Sequence, residues 1–377
     1  MFIVSKTKSE CSGCNACTEI CPKHCITMVK DYKGFYYPKI DKTQCIECKL
    51  CVKICPFSKN NTNLYFPQKA YAAWNKDTKN YLLSSSGGIA FALSHYILRN
   101  NGIVYGCTAD KINIKHVRIN KLEDLYKLQG SKYVQSEIKG LFSQIKKDLT
   151  FNVPILFVGT PCQVAGLKNY IKRVPDNLYL VDLICHGVPS LQMLHNHIKK
   201  VSGEHKINNI SFRQGTNFIL ELKSTNFLYK GSMWEDNYYK GFIDGIIYRE
   251  SCYNCIFAQP QRVSDITIGD FWGLKETSKK LPKDGISVLL PITSKGIQLI
   301  EKIKTNINIY ERPIQEAING NSQLRSPSRR TVRHYLFNLL YYLLGFDTTL
   351  SILYSNQKIS SYNKRYINKL LNILNIK

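Results

Sequence analysis

A chain of 377 residues has room for two or three domains, and 44% apolar with 21% charged residues is ordinary globular composition. No apolar run reaches the ~20 residues that span a bilayer, and Met1 to Glu10 carries no apolar signal-peptide core, which with the many thiols reads as a protein of the reducing cytoplasm. The formal charge of +25 is strongly basic, but the lysines are scattered and no nucleic-acid motif accompanies them. The charge therefore reads as a surface for acidic redox partners or an anionic membrane face, with no nucleic acid bound.

In chain order, the first feature is sulfur. Eight of the fourteen cysteines fall in two copies of one pattern. The copies are Cys11-x2-Cys14-x2-Cys17-x3-Cys21-Pro22 and Cys45-x2-Cys48-x2-Cys51-x3-Cys55-Pro56. This is the bacterial ferredoxin run, in which three cysteines hold one 4Fe–4S cluster and the fourth reaches the other. The expected sets are Cys11, Cys14, Cys17 and Cys55 on one cluster, and Cys45, Cys48, Cys51 and Cys21 on the second. Zinc sites use two Cys-x2-Cys pairs per metal, without a third cysteine at the same interval. Residues 1–60 thus read as a double 4Fe–4S ferredoxin-like domain, stapled by its clusters because it is too small for a sizeable apolar core. Residues 61–68 read as a linker, announced by Asn60-Asn61-Thr62-Asn63.

From Lys69 strands and helices alternate, which predicts a largely parallel, mixed α/β sheet over residues 69–310. Strands are expected at 70–74, 103–107, 115–119, 154–158, 178–184, 265–269 and 286–291. Helices are expected at 86–99, 137–149, 161–173 and 190–201. Residues 205–250 are aromatic-rich and less regular. The tail, 311–377, is basic and apolar; from Arg325 it holds nine Lys or Arg and one acid, Asp347. It reads as amphipathic helices that pack on the domain or a partner, with contact to a membrane surface as the alternative.

Four more cysteines stand out. Cys162 follows a strand in Val158-Gly159-Thr160-Pro161-Cys162, where Pro161 suits the first position of a helix. Cys185 follows the next strand, in Ile184-Cys185-His186-Gly187-Val188-Pro189. Two parallel strands place both at one carboxyl edge, where sites form. Cys252-x2-Cys255 comes from a later loop. On spacing alone the four are either ligands of a third 4Fe–4S cluster or buried small hydrophobes. Cys25 and Cys107 remain as non-ligands. His186 reads as a proton donor in two-electron chemistry or as a loop hydrogen-bonder. Trp234, Tyr238, Tyr239 and Phe242 read as an aromatic wall over a cofactor or as helix packing.

Several linked motifs appear in one order: Ser84-Ser85-Ser86-Gly87-Gly88, Gly130-Ser131-Lys132-Tyr133-Val134-Gln135, Gly159-Thr160-Pro161-Cys162-Gln163, Cys185-His186-Gly187-Val188-Pro189, Cys252-x2-Cys255 and Ser264-Asp265-Ile266-Thr267-Ile268-Gly269-Asp270-Phe271-Trp272-Gly273. Over about residues 5 to 300 the chain resembles the coenzyme F-420 hydrogenase/dehydrogenase beta-subunit family with an N-terminal double-cluster ferredoxin. The resemblance implies a third cluster on Cys162, Cys185, Cys252 and Cys255, and FAD nearby. It also implies hydride exchange with a deazaflavin or another organic substrate. Ser84, Ser85, Ser86, Gly87 and Gly88 precede a helix; capping hydroxyls and glycines that admit an anion suit a flavin pyrophosphate. Lys132 reads as a partner for a phosphate or flavin carbonyl, or as a surface lysine. Thr160 and Gln163 are further flavin candidates on the same edge. The expected function is an iron–sulfur flavoprotein oxidoreductase served by a redox partner protein or small electron donor. The alternative is an electron-transfer subunit that feeds a separate catalytic partner. The organic substrate is not named by the residues.

Overall fold

The computed structural model describes residues 7–58, 62–275 and 281–355. Met1 to Lys6, Asn60 and Asn61 of the expected linker, and the expected tail beyond residue 355 lie outside the described residues.

The first module repeats one local plan. Helix α1 (Ala16–Ile20) leads to a hairpin of β1 (Ile26–Lys30) and β2 (Tyr36–Ile40), followed by α2 (Leu50–Lys53). In both cysteine motifs the residues flanking the second cysteine are left-handed. Gly13 and Asn15 have φ of 68° and 62°, and Glu47 and Lys49 have 54° and 59°. For residues other than glycine this costs roughly 1–2 kcal/mol each. The curl turns three sulfurs toward one cavity. The module's own core is little more than Cys21, Cys25, Ile26 and Ile40.

The larger domain is built on an eight-stranded sheet. It begins with β3 (Ala70–Asn75), α3 (Thr78–Leu82) and α4 (Ile89–Arg99), then β4 (Ile103–Asp110) and β5 (Asn113–Ile119). Next come α5 (Leu141–Asp148), β6 (Ile155–Gly159), α6 (Pro161–Ile171), β7 (Leu178–Leu183) and α7 (Leu191–Ser202). A separate antiparallel meander follows, of β8 (Asn209–Gln214), β9 (Asn217–Ser224) and β10 (Phe227–Ser232), then α8 (Asn237–Ile243). The sheet is completed by β11 (Ile266–Asp270), β12 (Ser287–Pro291), α9 (Ser294–Ile303) and β13 (Ile307–Arg312). The chain continues into α10 (Ile314–Gly320), α11 (Val332–Leu344) and α12 (Phe346–Tyr354).

The strand order is β13-β3-β12-β11-β7-β6-β4-β5. Only β4, β6, β7 and β11 are mutually parallel; every other pairing in this sheet is antiparallel. The expectation of a largely parallel sheet therefore holds for the centre and fails at both flanks. Crossover helices enforce parallel pairing, and the flanking strands have tight turns or long returns instead. Helix α4 begins at Ile89 rather than Ser86 because Gly88, at φ 74°, is left-handed. Strand β13 runs through residue 310, the expected domain limit, and pairs with β3.

Three layers result. Helices α4 and α9 cover one sheet face with Leu93, Ile97, Leu299 and Ile303. On the other face lie α5 and α6 with Phe142, Val164 and Leu167, and the ferredoxin-type module inserts Ala16 and Ile54 into that same core. An aromatic core of Tyr238, Tyr239, Phe242, Phe337 and Phe346 joins the meander to α8, α11 and α12. The tail is anchored there by buried His197, which bonds Asp347 at 2.6 Å through Nδ1 and Asp236 at 2.8 Å through Nε2. Among the described residues no helix is long and apolar enough to cross a membrane.

The module is fixed to the sheet domain at many points. Asn169 Nδ2 donates to Ile54 O at 3.0 Å, Gln135 Nε2 to Ser12 O at 2.9 Å, and Ser143 N to Glu19 Oε2 at 2.8 Å. Lys33, buried, pairs with Glu250 at 2.8 Å. Gly34, at φ 84°, lies so close to α7 that a Cβ there would sit 2.3 Å from Gln192 Cβ.

Candidate iron–sulfur and flavin site

The eight motif cysteines line two cavities. One, of about 350 Å³, is walled by Cys11, Cys14, Cys17 and Cys55, with Tyr37 and Phe57. The other is walled by Cys21, Cys45, Cys48 and Cys51. Each motif thus sends its fourth cysteine to the other motif's cavity. Cys25 also enters the second cavity, its sulfur 3.4 Å from that of Cys21. The first cavity is turned toward the sheet domain, whereas Cys48 of the second is exposed. Burial and the neighbouring thiols of Cys55, Cys11 and Cys162 push Cys14 up to about 12. A metal ion bound by a thiol takes the place of its proton.

The third group forms at the carboxyl edge of the parallel strands. Strand β6 ends at Gly159, and Thr160 caps α6 in a box with Gln163; Pro161 opens the helix and Cys162 follows. Strand β7 delivers Cys185 two residues past its end. Cys252 and Cys255 arrive on a 3-10 turn, Glu250–Asn254, and its exit. All four line one cavity with Ser12, Gln135, Arg249 and Arg262. Burial, then Cys162 and Cys255, pushes Cys185 up to about 12; burial and Cys162 push Cys255 to about 11. Ser12 and Phe57 belong to the walls of both this cavity and the Cys11 cavity. Gly166 of α6 is packed on the module so closely that a Cβ would lie 3.0 Å from Cys14 Sγ.

Arg262 is buried here, donating to Asp182 at 3.1 Å, to Phe257 O at 2.8 Å and to Leu183 O at 3.2 Å. Asp182 also accepts from Thr267 Oγ1 at 2.6 Å, and its Oδ2 is buried without a partner. Arg249 is buried too and touches the Cys11 sulfur. Neither arginine carries a sequence signal, because burial of a charge depends on partners distant in the chain.

The expected flavin residues meet at a neighbouring stretch of the edge. Ser85 Oγ accepts from Ser131 N at 2.7 Å, joining the Ser84–Gly88 loop to the Gly130–Gln135 segment. Ser84 Oγ donates to Asn80 O at 2.7 Å. Ser86 lies against Ser287, and Gly87 is required by a close approach, since a Cβ would sit 2.2 Å from Ala73 O. The ammonium of Lys132 is enclosed, donating to Leu128 O at 3.1 Å and Gln129 O at 2.8 Å; burial lowers it to about 8, against the pull of Cys107. Gln129 Nε2 beside it is buried without a partner. Gln163 is fully engaged: Oε1 accepts from Thr160 N at 3.0 Å, and Nε2 donates to Ser136 Oγ at 3.0 Å. His186 is an exposed residue in the wall of the same cavity as the four cysteines; desolvation lowers its pKa, opposed by Asp270. Tyr238, Tyr239 and Phe242 are buried in the aromatic core and Trp234 is 77% exposed, so helix packing accounts for the first three and the four form no wall.

A two-cavity cysteine module docked on a mixed sheet, with more cysteines facing it from the sheet edge, defines an iron–sulfur electron-transfer protein of the oxidoreductase class. The comparisons make this specific. Residues 154–317 match the family described as the C terminus of the coenzyme F420 hydrogenase/dehydrogenase beta subunit, and residues 10–59 match the 4Fe-4S dicluster domain. The chain therefore joins an N-terminal 4Fe-4S dicluster domain to a region similar to the C terminus of the coenzyme F420 hydrogenase/dehydrogenase beta subunit. One similar solved structure is the F420-reducing [NiFe] hydrogenase complex from Methanosarcina barkeri, studied by xenon derivatization. The likeness has 18% identity and a TM-score of 0.48, over 69% of this chain and 91% of that one. A search of curated proteins finds no match.

Proposed function

We propose that this chain is an iron–sulfur flavoprotein oxidoreductase. It relays electrons between two ferredoxin-type clusters, a third cluster held by Cys162, Cys185, Cys252 and Cys255, and FAD, for hydride-equivalent exchange with a deazaflavin or another organic substrate. The observation that carries the reading is the shared wall: the four sheet-edge cysteines gather in one cavity separated from the Cys11 cavity by Ser12 and Phe57. When bound, the clusters supply one-electron storage and the flavin converts it to two-electron chemistry.

The residues present fit these groups. One orphaned polar atom, Gln129 Nε2, lies in the expected flavin stretch; with the enclosed Lys132 ammonium it suits a ligand rich in anionic and carbonyl oxygens. Tyr37 Oη, in the wall of the first cluster cavity, is likewise buried without a partner and suits a sulfide acceptor. Among the described residues no three His, Cys, Asp or Glu side chains close on a single metal ion. Sulfurs spread around a cavity suit a cubane better than one zinc ion with sulfur at ~2.3 Å. In this reading the chain's own part is to orient and to exclude water. Ser84–Gly88 offer backbone N–H groups at the start of α4, Ser85 ties that loop to Ser131, and His186 holds a proton near the edge.

A second reading, an electron-transfer subunit feeding a separate catalytic partner, is favoured by the family's description as a beta subunit. One experiment decides between them. Oxygen-free protein is assayed for iron, sulfide and released flavin, then mixed with reduced ferredoxin, nicotinamides or reduced deazaflavin. About twelve irons per chain, bound flavin and unaided turnover are expected; about eight irons would remove the third cluster. Loaded protein that reduces no acceptor alone would favour the subunit reading.

A further inference from the structure

Arg249 is 1% exposed and its guanidinium has no carboxylate partner in any ion pair among the described residues. The neighbouring Glu250 is taken by Lys33 at 2.8 Å and Arg330 at 3.5 Å. Arg249 Nε donates to Cys11 O at 2.6 Å, one terminal nitrogen to Gln135 Oε1 at 3.2 Å, and the other to Tyr36 O at 2.7 Å. That last nitrogen also points at Cys11 Sγ, 3.6 Å away. The guanidinium stacks on Tyr37, 4.2 Å from the ring centroid, and the side chain lines the cavity of Cys162, Cys185, Cys252 and Cys255. An unpaired charge taken out of water costs several kcal/mol, so a buried arginine without a carboxylate calls for another anion. The cysteine sulfurs beside it point to a thiolate-bound iron–sulfur group, at about −2 for an oxidised cubane, as that anion.

We infer that Arg249 is the residue that sets the reduction potential of the ferredoxin cluster bound by Cys11, Cys14, Cys17 and Cys55. One-electron reduction adds a negative charge to that cluster. A buried positive charge and an N–H···S bond both stabilise the added charge. Among the described residues the other ferredoxin cavity has no buried arginine in its wall: its neighbours Lys23, Lys49 and Lys53 are exposed, and Cys48 meets solvent. Arg249 belongs to the sheet domain and reaches across to the module, so it raises the potential of the cluster nearer the sheet and draws the electron inward. The inference needs the ferredoxin pair and not the third cluster; it stands whether the loaded chain carries eight irons or twelve.

The test is a reductive titration of the full, oxygen-free holoprotein with dithionite and mediators, followed by electron paramagnetic resonance. Arg249→Met removes the charge at similar volume. Gln135→Glu leaves Arg249 in place and sets a carboxylate against it. In both, one ferredoxin signal is expected to move to lower potential by at least a tenfold change in its reduced-to-oxidised ratio, 59 mV for one electron. The other signal stays in place, and Arg249→Lys recovers part of the shift. Folded, fully loaded variants with neither signal moved would overturn the inference. So would loss of ferredoxin iron in both Arg249→Met and Gln135→Glu, which would make Arg249 a scaffold residue only. If Arg249→Met alone fails to fold, Gln135→Glu decides: a downward shift upholds the inference and no shift ends it.

Discussion

The ferredoxin-type module and the cysteine edge of the mixed sheet gather sulfur by opposite means. In the module the work is local: three cysteines within seven residues curl around one cavity, helped by left-handed Gly13 and Asn15 or Glu47 and Lys49. At the sheet edge the four cysteines come from two strand ends and a distant turn, and only the finished sheet brings them together. The module has almost no apolar core and depends on its ligands, whereas the sheet domain has cores on both faces and holds its cavity ready. A loop motif therefore tells a reader which residues bind, while an assembled edge tells only where binding is possible.

The most severe way to break this comparison is to remove the metal. Stripping iron with a chelator under reducing conditions should unfold the module and leave the sheet standing. Hydrogen exchange would show amides of β1 and β2 losing protection while β6 and β7 keep theirs; equal loss in both would show that the two regions fold as one. Next in size is Cys252→Ser with Cys255→Ser. Iron should fall by about four per chain, with the ferredoxin signals and the melting temperature of the sheet domain little changed; unchanged iron would take these residues out of metal binding.

The third test concerns the sheet domain's own polar core. His197 lies 2% exposed between Asp236 and Asp347, and the hydrogen bonds and charges of both outweigh its burial, raising it to about 9. Its unfolded value is ~6.5, so between these limits the folded state holds the extra proton and stability falls as pH rises. The contribution is complete below ~6.5 and is lost as pH climbs through about 9. His197→Gln should cost about 3–5 kcal/mol at pH 7, because the buried Asp236 and the half-buried Asp347 lose their cation. The melting temperature of the wild type should drop between pH 7 and pH 10, and that of the variant should drop less. Parallel pH curves would refute this assignment.

Smaller effects sharpen the boundary between the regions. Gly34→Ala sets a methyl group against Gln192 at a left-handed position and should weaken docking by about 1–3 kcal/mol, seen as faster proteolysis of the module alone. Ser85→Ala removes one acceptor, worth about 1 kcal/mol; the expected result is a lower ratio of flavin to chain after dialysis, with iron unchanged.

What could be read in advance follows the same division. The two ferredoxin runs and the central strands β6 and β7 are legible because spacing and short apolar runs are local properties. The meander β8–β10 was not, since residues 209–232 mix charged and aromatic side chains and their burial does not alternate cleanly. Strand β13 escaped because an edge strand of alternating Ile and polar residues resembles a loop until β3 lies beside it. Of the candidate site, the cysteines and the Ser84–Gly88 loop announce themselves by type and order. Arg249, Arg262 and Asp182 do not, since each is defined by which charges surround it in space. Gln163 shows the reverse case: a residue inside a conspicuous motif whose amide is spent on capping α6 and on Ser136.

The exchange of Cys21 and Cys55 between the two cavities has a consequence for biogenesis. Neither half of the module can be completed by itself, because each nest lacks one donor until the other half has closed over it. Maturation should then be all-or-none: newly made chains would be found empty or doubly filled, and singly filled ones would be scarce even when inorganic iron and sulfide are limiting.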